Sequence, residues 1–188
     1  MQLIVEGAFV EDDWQWQEAS ADFAVPETTA RILGSLTFEL PQFAVRHWFW
    51  QPGIGEQSRY GISVPPDFDA ALLNELTVPP QLLAVIFETH GDGRGFSLAR
   101  AVREQGFTGE LRAFGALIPD QYEALVQSGF DAVMLAHDAA DRHTERAWQT
   151  AFAWPTQVYV PAAARLRRAS SPTAATLTFG DARTTPSG

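Results

Sequence analysis

The 188-residue chain contains no cysteine. That absence excludes thiol catalysis, dithiol redox motifs, disulfides, thiolate-bound zinc and cysteine-ligated iron–sulfur clusters. Lysine is missing too, since all 13 residues counted as Lys or Arg are arginines. Schiff-base chemistry, a P-loop lysine and a lysine general base fall with it. Positive charge of any kind is scarce against 23 acidic residues, and the formal net charge is −10. Such a field repels nucleic acid and anionic membranes. The run Leu82 to Phe87 is far short of the roughly 20 apolar residues a membrane helix needs. The amino end, Met1 to Glu6, carries no basic stretch and the first arginine is Arg31, so the chain reads as cytoplasmic and without a secretory signal.

What is present is a globular composition, 46% apolar, enough for one well-buried core. Residues 1–160 read as a single α/β domain. Within it, residues 1–59 form an N-terminal β-rich cap, with Pro41 opening a helix over Gln42 to Trp50 after a strand at Leu36 to Leu40. Residues 60–160 form a core of repeated βα units. Strands at Tyr60–Val64, Leu83–Glu88, Leu111–Gly115 and Ala132–Ala136 each precede a helical stretch, at Asp67–Leu76, Arg94–Gln105, Asp120–Ser128 and Ala139–Phe152. That alternation predicts a parallel sheet or partial barrel with right-handed crossovers. Val158 to Val160 is a further candidate strand. Residues 161–188 are rich in Ala, Ser, Thr, Pro and Arg and read as a disordered tail.

The chemistry-bearing stretch is Glu88 to Ser97, between a buried strand and a helix. Ligands of parallel α/β proteins sit beyond the carboxyl ends of strands. Glycines there allow close backbone approach, and Arg94 and Ser97 supply a fork donor and a hydroxyl for an anion. The same residues equally make a tight turn with Asp92 capping the helix. No dinucleotide fingerprint results, because Phe96 stands where a third glycine is needed, and no other cofactor motif is visible. Arg112 interrupts a strand that is otherwise apolar, so it needs an acidic partner such as Asp92, Glu88 or Asp131; a structural ion pair and a substrate clamp are both open. Asp120 suits a helix start after Pro119, and Gln121 is placed to hydrogen-bond a ligand. Asp92 and Asp120 are the candidates for proton transfer at that edge. His137, Asp141, His143 and His47 lack a metal-binding pattern, and the His47 to Trp50 aromatic string is either packing or a contact surface.

The residues Asp92-Gly93-Arg94-Gly95-Phe96-Ser97 with Arg100 and Arg103, Gly109 to Ala113 with Gly115, Asp120-Gln121 and Gly129 to Ala132 resemble the bacterial family DUF934. Gly7 with Glu11 to Trp14, and Tyr60-Gly61 to Asp67, extend the likeness over roughly residues 1–155. The resemblance implies an accessory protein of assimilatory sulfite reduction, commonly described as an oxidoreductase. The implied partners are the sulfite reductase haemoprotein or its electron donor. Beside that stands an oxyanion site built from Arg94, Ser97, Arg112 and Gln121, or, alternatively, a non-catalytic acidic docking module.

Overall fold

The computed structural model describes residues 1–18, 45–51, 59–76 and 78–153. Eight strands make one mixed sheet: β1 (Gln2–Val5), β2 (Ala8–Val10), β3 (Gln15–Glu18), β4 (His47–Gln51), β5 (Arg59–Val64), β6 (Leu82–Phe87), β7 (Glu110–Gly115) and β8 (Ala132–Leu135), in the order β2-β1-β8-β7-β6-β5-β4-β3. β5 to β8 pair in parallel, whereas β1 and β2 at one side, and β4 and β3 at the other, pair antiparallel. The helices are α1 (Arg94–Glu104), α2 (Tyr122–Ser128), α3 (His137–Ala140) and α4 (Glu145–Ala153), with 3₁₀ helices at Ala70–Glu75 and Pro119–Gln121.

Register assigns every strand residue to a face. Ile4, Val133, Leu111, Ala113, Val85, Ile62 and their neighbours pack under α1, α2 and α4 as the main core. Leu3, Met134, Phe114, Ala84, Ile86 and Phe49 alternate onto the other face and form a second buried cluster with Trp14.

That second face is buried because the sheet curls. β2 and β3 lie at opposite ends of the strand order, yet only residues 11–14 join them. Five peptide steps reach at most about 18 Å, while seven flat inter-strand spacings would separate the two edges by roughly 34 Å. The edges must therefore approach each other, with the second cluster inside the curl. The His47 ring on β4 meets the Phe114 ring on β7 edge-on at 4.9 Å between centroids, three strands apart in the order.

The described N-terminal residues form β1 to β4, which extend both sides of the core sheet, because the exposed strand edges gain partners there. Residues 47–50 are strand instead of helix. The alternation in His-Trp-Phe-Trp puts Phe49, 1% exposed, on the inner face opposite Gly61, and pairing with β5 outweighs the local helix signal at Pro41. The segment Asp67–Leu76 tightens to a 3₁₀ helix capped by the Asp69 side chain on Ala71 N. The helix expected over Ala139–Phe152 is split at Asp141–Thr144. The readings for Leu36–Leu40, Val158–Val160 and the 161–188 tail lie outside the described residues. Among the described residues, no helix is long and apolar enough to cross a membrane.

Gly115 ends β7 at φ +131°, and a Cβ there would stand 2.2 Å from the Phe87 carbonyl oxygen. Gly115→Ala is therefore expected to cost more than about 2 kcal/mol in urea unfolding. Gly91→Ala, whose Cβ would meet nothing within 4 Å, should stay within about 0.5 kcal/mol of wild type.

Candidate functional site

Parallel β6, β7 and β8 bring the loops after them together at one edge. Gln121 on the second loop clasps the first, its Nε2 donating to the His90 carbonyl at 2.9 Å and its Oε1 accepting from Ile118 N at 3.1 Å. Ala116 N donates to the Phe87 carbonyl at 3.0 Å, and Ala136 N to Gly115 at 3.4 Å. Gln121 is thus spent on holding loops.

Gly95 belongs to packing: its α-carbon lies where any Cβ would come within 2.4 Å of the Phe87 ring. α1 therefore starts tight against β6. Arg94, at its first turn, is exposed, and its Nε and Nη2 donate to the Asp92 carboxylate at 3.0 and 2.7 Å, while Arg94 N donates to Asp92 Oδ1. Those bonds hold the Asp92 carboxyl below the ordinary carboxylate range, so Asp92 is an anion that accepts from its neighbour two residues on. Ser97 is exposed on the same helix, and Asp120 is exposed in the 3₁₀ helix that follows β7. Asp120 borders a cleft of about 590 Å³ shared with Glu123, His143 and Ala147.

Arg112 does not join this group. It pairs in register with Ala84 and Ala132, so its side chain lies inside the curl, on the face opposite α1. There it is 2% exposed, and its partners are Asp12, through Nη1 and Nη2 at 2.6 and 2.9 Å, and Glu110, through Nε at 2.7 Å. Burial alone would lower its pKa, but the hydrogen bonds and charges of Asp12 and Glu110 outweigh it and raise the pKa. The partner expected among Asp92, Glu88 and Asp131 is therefore corrected to Asp12 and Glu110. Asp131 is taken by Arg103, whose Nη2 reaches it at 2.5 Å and whose other donors bond the Gly129, Phe107 and Gly109 carbonyls; Asp131 also accepts from Leu111 N. Arg103, Gly109, Gly129 and Asp131 are one structural knot tying α1 to β7 and β8.

Two features went unread in the sequence. Asp12 is one of three successive acids, Glu11 to Asp13, and 100 residues separate it from Arg112. His47 Nδ1 lies 3.0 Å from the buried Ser63 Oγ; alternation along β4 was the one available signal. Burial lowers the His47 pKa below 6.5, with Glu18 opposing and Arg46 adding to the shift. Among the described residues, no group of three or more His, Asp or Glu is placed to hold a metal ion.

Removing one partner of the buried cluster strands a charge, so Arg112→Gln should lose about 3–5 kcal/mol in chemical denaturation. For His47, the native state binds a proton more weakly than the unfolded chain. Its contribution is therefore complete above pH 6.5 and declines as pH falls from there through the lowered native value. His47→Asn should flatten that part of the stability profile, measured by urea titrations across the acidic range.

No curated protein and no solved structure matches the chain at a significant level. A family model does, over residues 61–167, a span that contains α1, the Arg103 knot, Arg112 and the edge loops. The chain belongs to that family, described as bacterial protein of unknown function DUF934.

Proposed function

We propose that the protein is an accessory factor of assimilatory sulfite reduction that works by docking on the sulfite reductase haemoprotein or its electron donor. The observation that carries the docking half is the edge strand β3. It is exposed along its whole length, and Trp16, in register with Phe49 and edge-on to the His47 ring, is 37% exposed on a strand whose described partner is β4 alone. Aromatic side chains anchor protein interfaces, and an acidic body steers encounter with basic partners. Trp48, by contrast, packs against the main core, which makes Trp16 the better anchor. The link to sulfite reduction rests on the family likeness. The alternative, a small-oxyanion site with Asp92 or Asp120 moving a proton, draws support from the exposed Arg94 at the start of α1 and from the clustering of the edge loops.

Deletion of the gene should slow growth on sulfate and not on cysteine. Complementation with Arg94→Ala/Asp120→Ala should restore growth. Trp16→Ala should fail to, with capture of the purified reductase or its donor falling at least about tenfold. The reverse pattern, with both variants folded, would replace docking by the oxyanion site. Unimpaired growth of the deletion strain on sulfate would detach the protein from sulfite reduction.

A further inference from the structure

The sheet ends in two edge strands, and the two are finished differently. On β2, Phe9 N faces away from β1 and donates to Glu145 Oε1 at 3.0 Å. Next to it, α4 packs so close to the turn before β2 that a Cβ on Gly7 would stand 2.6 Å from Phe152 Cβ. A side chain and a helix therefore cover that edge, which is how exposed strand edges are ordinarily protected. β3 has no such cover among the described residues. It pairs with β4 on one side, and among the described residues no backbone hydrogen bond from another element reaches Gln15 to Glu18. Every second residue of an antiparallel strand turns its N–H and C=O away from its partner, so two residues of β3 direct both groups outward. The strand also contains no proline to block pairing there.

Its side chains give that edge a sign. Trp16 and Glu18 share one face, in register with Phe49 and His47, while Gln15 and Gln17 stand on the other. Trp16 lies edge-on to the His47 ring, with 6.0 Å between centroids, and keeps 37% of its surface exposed. Glu18 is exposed and, among the described residues, has no salt bridge. Glu11 and Asp13, in the link that enters β3, are exposed carboxylates as well. Arg46, beside His47 in the chain, already has its charge met by Glu88 at 3.2 Å. The open edge is therefore acidic, with one aromatic ring on it.

We propose that β3 takes up an extended, basic segment of a partner protein as an added strand. The segment's backbone pairs with the groups that β3 turns outward, which supplies affinity. A basic side chain beside Glu18 and an apolar one beside Trp16, two residues apart on one face of the segment, supply selectivity. A helical segment has no unpaired main chain to offer, and an acidic one is repelled. The inference rests on the docking reading above for its face, and adds the class of segment that the face takes.

The test is an NMR titration of the full chain with the capped peptide TVTRTVT, which reads the same in both directions and so serves parallel or antiparallel pairing. The amides of residues 15–18 and the Trp16 indole, assigned with Trp16→Phe, should shift saturably with a Kd below about 1 mM. Replacing the peptide's arginine by glutamate should weaken binding at least about tenfold, and Glu18→Gln in the protein about threefold. Methylating the backbone nitrogens of the threonines in one peptide, and of the valines and arginine in another, blocks one edge of the strand at a time. One of the two should lose binding and the other keep it, because a single edge meets β3. No saturable shift at residues 15–18, an equal response to both methylated peptides, or unchanged affinity for the glutamate peptide would overturn the proposal. Hydrogen exchange separates it from the docking reading. Capture of the reductase or its donor that depends on Trp16 yet adds no protection to the amides of residues 15–18 keeps docking and overturns strand addition. Loss of capture with selective peptide binding intact overturns that partner and supports the open edge.

Discussion

Four residues have to carry the chain from one edge of an eight-stranded sheet to the other, between β2 and β3. They are too short to cross a flat sheet, and most of the remaining architecture follows from that. The sheet curls, its second face becomes an interior, and the residues on that face are buried with Trp14 folded in among them. The Arg112–Asp12 contact pins the link in place, because Arg112 on β7 is buried and charged and Asp12 is one of the four linking residues. A buried guanidinium left unpaired is strongly destabilising, so the closure of the curl and the neutralisation of Arg112 are coupled.

The two faces of the sheet divide the labour. The helical face is closed by α1, α2 and α4 and by the Arg103 knot, which fixes the carbonyls of Phe107, Gly109 and Gly129 around one guanidinium. The curled face carries polar groups within apolar surroundings: Arg112, Ser63 and the His47 ring. Charged and hydroxyl-bearing groups in such a place narrow the permissible packing, since each must find its partner for the curl to close.

Much of the family-matching sequence is therefore structural. Gly95, Arg103, Gly109, Gly115, Gln121, Gly129 and Asp131 each have a packing or hydrogen-bonding task. Arg94 and Ser97 are exposed, and so is Asp120, which leaves their side chains facing solvent at the carboxyl edge, whereas Arg112 lies toward the amino-terminal end of β7. One motif stretch thus contributes to two ends of the molecule, with Arg112 belonging to the second.

The sequence alone determined the central strands and the helices between them. Leu82 to Phe87 is buried on both faces and reads as such, and Arg94 to Gln105 carries its helix pattern locally, in residues one turn apart. It also determined that Arg112 needed an acidic partner, because the cost of an unpaired buried charge is independent of the fold. Only the tertiary structure decided which acid that was. Face assignment depends on register, and proximity across 100 residues depends on the closure of the sheet, neither of which is encoded in local periodicity. The same holds for the aromatic string at His47, whose pairing with β5 and contact with Phe114 turned a local helix signal into a strand, because long-range pairing outweighs propensities worth only tenths of a kcal/mol per residue, up to about 1.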